Sequence, residues 1–227
     1  MDLGLIIQLG YVVAAGLFIF GLKMLGSPDT ARRGNGISAI GMLVAIVAAL
    51  LDQGIVQYEF ILGGMIAGGI IGAFAARTVA MTSMPEMVAL FNGVGGAASG
   101  LVGVAALSIA DGSFTYITII LSILIGGVTF TGSLVAYGKL SEIIGSGAVT
   151  FGGQKFVNGL IVIGILASAV MFVMDPTNTN MLYTVVGLSL LFGMMVVIPI
   201  GGADMPVVIS LLNSYSCLLY TSPSPRD

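Results

Sequence analysis

The chain has 227 residues, of which 57% are hydrophobic and 7% are charged, and its formal net charge is −3. About a quarter of the residues of an ordinary soluble domain are charged, so this composition excludes a soluble globular protein, and the small net charge gives no reason to expect nucleic acid as a partner. With no histidine and a single cysteine, Cys217, the chain lacks the residues for an internal disulfide, the common metal sites or an acyl-transfer triad.

Long apolar runs follow one another along the chain, as expected of a protein whose solvent is the lipid bilayer. A helix needs roughly 20 residues to cross a hydrocarbon core of about 30 Å, and runs such as 101–110 are almost continuously apolar, which favours helices over the alternating strands of a barrel. Complete spans are predicted at 4–25, 37–51, 60–77, 84–109, 114–137, 156–174 and 181–200. The predicted fold class is therefore all-α, a polytopic transmembrane helix bundle with seven complete spans plus a partial eighth from about Met205 to Tyr220.

The loop charges predict an orientation in the membrane. The first apolar run begins after Asp2 without a basic segment and is too long for a signal peptide, so we expect it to be retained. Segment 37–51 is short for a crossing, yet counting it as a span separates the charges cleanly. One set of loops carries Lys23, Arg32, Arg33, Arg77, Lys139 and Lys155, and the other carries Asp52, Glu59, Asp111 and Asp175. The positive-inside rule then predicts that the basic loops are cytoplasmic and that the N-terminus is outside.

Small residues recur every four positions in the third and fourth spans. The repeats are Gly64, Gly68 and Gly72 in the third span and Gly96 and Gly100 in the fourth. Because this spacing lets helix backbones approach closely, both spans are predicted to pack tightly against neighbours. Gly93, Gly95 and Ala98 also match the G-x-G-x-x-A dinucleotide pattern, but the match lies inside an apolar segment and follows no strand, so helix packing is predicted there and not a nucleotide site.

Two carboxylates stand at the predicted starts of spans. Ser83 and Glu86 have the spacing of a capping box, in which Ser83 caps the fourth span and Glu86 reaches back to it. Asp204 precedes Met205 and Pro206, a suitable place for the N-cap of the eighth segment. For both carboxylates the sequence leaves capping and a functional role open.

Asn92 and Asn213 lie inside predicted spans, so each amide needs partners within the membrane. At 1.5 Å per residue, Asn92 is about 12 Å and Asn213 about 13–14 Å from the cytoplasmic start of its segment. The two amides could line one hydrated route or could simply join helices by hydrogen bonds. In either role an amide can hold water or orient a titratable partner, but it cannot itself carry a proton.

A polar stripe follows the fifth span at intervals of three and four residues, formed by Ser122, Gly126, Thr129, Ser133 and Tyr137. Such a stripe faces protein or water, and hydroxyls in membrane helices often bond to a neighbouring helix or to a carbonyl one turn back. Packing is therefore the simpler interpretation, and Thr129 and Ser133 are secondary candidates for the hydrated route.

Three motifs together resemble the membrane domain of the beta subunit of proton-translocating NAD(P) transhydrogenase: MPEMVALFNG at 84–93, GGVTFTGSLVAYGKL at 126–140 and GGADMPVVISLLNSYS at 201–216. The resemblance covers about 1–216 and implies a transmembrane proton-translocating domain in an enzyme that couples hydride transfer between NAD(H) and NADP(H) to proton movement. It also implies a multi-pass protein of the bacterial inner membrane, with an alpha subunit as partner and a homodimeric assembly of the alpha–beta unit.

Members of that family continue after SYS into further spans and a cytosolic domain that binds NADP(H). Residues 217–227 depart from the pattern, and their two prolines and polar character predict a non-native or misread tail. We therefore expect that this chain alone binds no cofactor and transfers no hydride, and that NADP(H) and NAD(H) belong to the full complex.

By position in the motifs, Asn92 matches the place where some family members have a membrane histidine tied to proton translocation. Asp204 and Asn213 match polar positions near the route and its cytoplasmic mouth. Since this chain has no histidine, the resemblance implies that a helix of a partner alpha subunit supplies the titratable group. The candidate proton-pathway residues are Asn92, Asn213, Asp204, Ser133, Thr129 and Glu86, and no catalytic, cofactor-binding or metal-binding residue is predicted.

Two other functions fit the same composition. Glycine-rich helices and amides at mid-membrane are also found in small ion or solute transporters, although this chain has no charged binding site and no inverted repeat. The unusual C-terminal sequence also allows a membrane fragment without activity of its own.

Overall fold

The computed structural model describes residues 3–51 and 58–220, with the side chains of 217–220 excepted. Within these ranges the regular structure is helical, without strands. The helices are α1 (Leu3–Leu25), α2 (Pro28–Leu50), α3 (Tyr58–Thr78), α4 (Met84–Ala106), α5 (Gly112–Leu140), α6 (Gln154–Met174), α7 (Thr179–Val197) and α8 (Met205–Tyr220). The first seven are long and apolar enough to cross a membrane, and α8 is shorter, with 16 residues. The predicted all-α membrane helix bundle is confirmed.

Helix α2 is longer than the span predicted at 37–51. It begins at Pro28, which stands in the first turn, where its missing N–H costs nothing, and the amide of Ala31 bonds to the carbonyl of Ser27 at 2.9 Å. The predicted span begins only at residue 37, because hydropathy places the polar residues Arg32 and Arg33 outside it. A helix can nevertheless begin in a polar turn. With 23 residues, α2 has the length of a complete span.

Two of the charges on which the predicted orientation rests are not described loop charges. Asp52 lies outside the described residues. Lys139, which was counted as a loop charge, instead lies in the last turn of α5 and is 1% exposed. Its ammonium is therefore not a solvated loop charge of the kind that the positive-inside rule counts.

The described chain divides into two compact units, the first ending at Thr78 and the second starting at Val79. In the first unit α1 and α2 form a hairpin whose contact surface is made of small residues. The buried positions recur every seven residues: Ala14 and Gly21 in α1, and Gly34, Gly41 and Ala48 in α2. A Cβ added at Gly34 would lie 2.8 Å from the carbonyl oxygen of Gly21, so the two backbones touch.

Helix α3 buries none of its residues. A Cβ added at Gly64, Gly68 or Gly72 would meet no atom of the described chain within 4 Å. The close packing predicted for the third span is therefore not present among the described residues of the first unit, where no atom lies against these glycines.

In the second unit α5 is the central helix and packs against α4, α6, α7 and α8. The contact with α4 depends on facing glycines, since a Cβ at Gly126 would come within 2.6 Å of the carbonyl oxygen of Gly96 and 2.7 Å of the amide of Gly100. The tight packing predicted for the fourth span is confirmed. Gly93 is buried against Ser133 in the middle of α4, as expected for helix packing rather than for a dinucleotide site.

Two apolar clusters hold α5 in place. One lies among α5, α6 and α7, where the rings of Tyr116 and Phe172 meet edge to face at 6.0 Å. The other joins α4, α5, α7 and α8 through Ala89, Ala136, Val197, Met205 and Leu212. The second cluster fixes the start of α8 against α5 and so positions the surface described next.

Candidate functional site

A groove of about 540 Å³ lies between α4 and α8. Its polar lining residues are Asn92 and Ser99 from α4 and Ser210, Asn213 and Ser216 from α8. Apolar residues complete the walls, among them Val88, Phe91 and Ile209. The two asparagines, 121 positions apart in the sequence, are thus brought to one surface.

Asn92 is anchored to α5 by a hydrogen bond from its Nδ2 to Oγ of Ser133, at 2.9 Å. Ser133 is fully buried, whereas Asn92 is partly exposed to the groove. Asn92 lies eight residues after Met84, the first residue of α4, which corresponds to about 12 Å along the helix. The amide is therefore held from behind by α5 while part of it faces the groove.

Asn213 lies eight residues after Met205, the first residue of α8, and so at the same depth along its own helix, about 12 Å. Its side chain is exposed and lines the groove. One turn further on, the hydroxyls of Ser216 and Thr129 lie 3.2 Å apart and join α8 to α5. Thr129 is fully buried, so α5 supports both walls of the groove from behind.

The predicted polar stripe of α5 faces protein. Ser122 donates a hydrogen bond to the carbonyl oxygen of Ser99 at 2.9 Å, Gly126 touches α4, and Tyr137 borders the apolar cluster at the start of α8. Thr129 and Ser133 stand behind the groove, and neither is among its lining residues. The stripe therefore joins helices, with two of its hydroxyls reaching groove residues.

The capping box predicted for α4 is not formed. Ser83 is the N-cap residue, but its side chain makes no capping hydrogen bond. With φ −95° and ψ 10° it ends a 3₁₀ turn, Met81–Ser83, whereas a capping serine normally has extended backbone angles. Glu86 lies partly exposed in the first turn of α4, outside the groove.

Asp204 ends a 3₁₀ turn, Gly202–Asp204, immediately before α8. Its backbone amide donates to the carbonyl of Gly201 at 3.0 Å, and its side chain is exposed. Pro206 stands in the first turn of α8 as predicted, where its missing N–H costs little. Asp204 thus lies immediately before the first residue of α8, on the N-terminal side of Asn213, and it does not line the groove.

Three serines of the groove were not singled out from the sequence. Ser99 follows Asn92 by seven residues on α4, and Ser210 and Ser216 flank Asn213 by three on α8. These spacings place each set on one helix face. The signal was present in the sequence, but only the pairing of α4 with α8 shows that the two faces meet.

Every described residue that lines the groove is neutral, so these side chains can donate and accept hydrogen bonds but cannot take up or release a proton near neutral pH. Among the described residues no group of three or more histidine, cysteine, aspartate or glutamate side chains lies close enough to hold a metal ion. The chemistry available at this surface is therefore the binding and ordering of water or of small polar groups.

Comparison with known proteins gives one consistent family. Residues 7–221 match the family model described as NAD(P) transhydrogenase beta subunit. Two curated relatives, both named NAD(P) transhydrogenase subunit beta and both from Rhodospirillum rubrum, one of them from a defined strain, are 39% identical over 218 residues. Each alignment covers 91% of this chain and 46% of the relative, so the chain spans less than half the length of the curated relatives it matches.

Proposed function

The chain belongs to the family of NAD(P) transhydrogenase beta subunits, and on that basis we propose that it is the membrane domain through which the complex moves protons. Hydride transfer between NAD(H) and NADP(H) takes place in other domains, and this chain binds neither nucleotide. The observation that carries the proposal is that Asn92 and Asn213 line one groove at matching depth. Polar groups within a membrane are costly and usually serve a route for water or ions.

In this proposal the two amides order water along the groove. Asn92 cannot turn freely, because its Nδ2 is bonded to Ser133, and the bond between Thr129 and Ser216 holds α8 beside it. Waters bound between fixed donors and acceptors can pass a proton along hydrogen bonds. Asp204 and Glu86 stand near the ends of the two helices, where a carboxylate can exchange protons with water at the mouth of the route.

The neutral groove requires a titratable group from elsewhere. We infer that a helix of the alpha subunit provides it, packed against the side of the groove that α4 and α8 leave open. The working assembly is then an alpha–beta unit that forms a homodimer in the bacterial inner membrane, surrounded by lipid, with the N-terminus of this chain outside. Nucleotide binding and proton occupancy affect each other in such an assembly, since coupling between two sites is reciprocal.

The experiment is proton-coupled reduction of an NAD analogue by NADPH in membrane vesicles, with this region in its full-length beta subunit and with the alpha subunit present. Asn92→Leu and Asn213→Leu keep similar volume but remove the amide. Each is expected to lower the uncoupler-sensitive rate by about tenfold or more, which corresponds to about 1.4 kcal/mol in the barrier.

Asn158→Leu is the matched control, because Asn158 lies in α6, does not line the groove, and its buried Oδ1 has no hydrogen-bond partner in the part of the chain that the structure describes. This variant is expected to keep the full rate. Activity that is indifferent to both groove substitutions would leave the family assignment intact but would reduce the amides to helix packing. No uncoupler-sensitive activity in any assembled complex would favour an ion or solute transporter, or an inactive fragment.

A further inference from the structure

Among the residues that the structure describes, Lys139 has the largest fully buried side chain, and it does not line the groove. Its ammonium donates three hydrogen bonds to backbone carbonyl oxygens: to Gly147 at 3.0 Å, to Ile198 at 2.5 Å and to Ile200 at 2.6 Å. A buried charge is expensive unless all of its hydrogen-bonding capacity is used, and a lysine ammonium has three donors. The site is therefore complete, with one acceptor for each proton.

The three acceptors come from two separate segments. Ile198 and Ile200 follow the last residue of α7 and flank Pro199, where carbonyls at the end of a helix lack partners and the helix dipole favours a cation. Gly147 belongs to the segment after α5. Backbone bonds join the same two segments, from the amide of Gly202 to Ser146 at 2.8 Å and from the amide of Val149 to Ile198 at 3.3 Å. Lys139 thus fastens the link between α7 and α8 to the end of α5.

That link leads directly into α8. The turn Gly202–Asp204 follows Ile200 closely, and Met205, the first residue of α8, is completely buried with Val197 and Leu212. Because α8 is a rigid helix, the place where it begins determines the height and the rotation of the residues further along it. Asn213 and Ser216 are two and three turns from that start.

We propose that Lys139 is a positioning residue that fixes the start of α8 against α5 and thereby sets the places of Asn213 and Ser216 at the groove. The consequence for proton movement rests on the function proposed above, whereas the positioning of α8 does not. The backbone bonds each join two of these segments, whereas the ammonium bonds to both from the end of α5 and so brings three parts of the described chain together at one point.

The test measures the α5–α8 contact at its far end. With Cys217→Ala as background, Thr129→Cys and Ser216→Cys are introduced together, because the two hydroxyl oxygens lie 3.2 Å apart and sulfurs there can form a disulfide after a small shift. The control pair is Gly103→Cys with Ser122→Cys, which reports the α4–α5 contact, where a Cβ at Gly103 lies 3.2 Å from that of Ser122. Rates of oxidative cross-linking are compared in membranes with Lys139 intact and with Lys139→Met.

Lys139→Met keeps an apolar chain of similar length but removes three charge-assisted hydrogen bonds, and it is expected to slow the α5–α8 cross-link by about fivefold or more while changing the control pair less than about twofold. Lys155→Met removes a charge from an exposed lysine and is expected to change neither rate. An unchanged α5–α8 rate in Lys139→Met would overturn the proposal. Equal loss at both pairs would also overturn it, since Lys139 would then support the whole fold rather than the placement of α8.

The same variant in the assembled complex separates this proposal from the proposed function. If α8 is displaced at a groove that conducts protons, fewer protons move per hydride while the KM values for the nucleotides stay constant. A slowed cross-link with an unchanged proton ratio would support the positioning role of Lys139 and would count against the proton route.

Discussion

The two units of the chain are built from helices of similar composition, but the helices inside each unit are joined by different kinds of contact. In the first, the fully buried residues of the α1–α2 contact are glycine and alanine at seven-residue intervals, and the Ser38 hydroxyl beside them has no hydrogen-bond partner among the described residues. In the second, helices are joined by polar side chains as well, such as Asn92 with Ser133 and Thr129 with Ser216. The difference indicates that small residues suffice to pair membrane helices, whereas the polar links between helices lie at the groove proposed to serve function.

The largest effect on stability is expected at the α4–α5 contact, where Gly126 of α5 packs directly against the backbone of α4. Gly126→Ala would place a Cβ 2.6 Å from the carbonyl oxygen of Gly96, which can move only if α4 moves, and we expect a loss of about 2 kcal/mol or more in the free energy of unfolding. Thermal unfolding in detergent measures it. The matched control in the other unit is Gly68→Ala, which meets open space and is expected to be neutral or to stabilise α3 by up to about 1 kcal/mol through helix propensity. Equal losses in both variants would contradict the contrast between the two helices.

A smaller effect is expected from the polar link itself. Ser133→Ala removes the acceptor that holds Asn92, and we expect the uncoupler-sensitive rate in the vesicle assay to fall about fivefold, in line with a net hydrogen-bond contribution of about 1 kcal/mol. Ser189→Ala is the control, because Ser189 is equally buried in α7 but its hydroxyl bonds, among the described residues, to the carbonyl of Val186 in its own helix. A rate that falls equally in both variants would show that loss of any buried hydroxyl in this unit has the same effect.

The smallest effect is expected in the α1–α2 contact and has the opposite sign. Ser38→Ala removes a buried hydroxyl without a partner, so the free energy of unfolding should rise by about 0.5–1 kcal/mol. In the second unit Ser168→Ala removes a buried hydroxyl that is bonded to the carbonyl of Gly164, and it should lower stability by about 0.5 kcal/mol. A loss of stability in Ser38→Ala would mean that its hydroxyl has a partner in the membrane.

The spans could be predicted from the sequence because hydropathy is a local property, and Asn92 and Asn213 could be paired because depth follows from helical rise. Helix starts were less predictable: α2 begins in a polar turn, and Ser83 belongs to a 3₁₀ turn rather than to a capping box. The burial of Lys139 could not be predicted, since two of its acceptors lie 59 and 61 residues away and only the folded chain brings them together.

The seven-residue spacing of the α1–α2 contact has a consequence for alignment. A slide of one helix along the other by seven residues, about 10.5 Å, would again bring small residues face to face, so the contact surface defines how close the helices come but not which residues are opposite each other. The short turn after Leu25 determines which residues of the two helices lie opposite each other. In this turn Thr30 Oγ1 donates a hydrogen bond to the carbonyl oxygen of Met24 at 2.6 Å. Inserting residues into this turn would release the hairpin into alternative alignments with nearly the same contact surface.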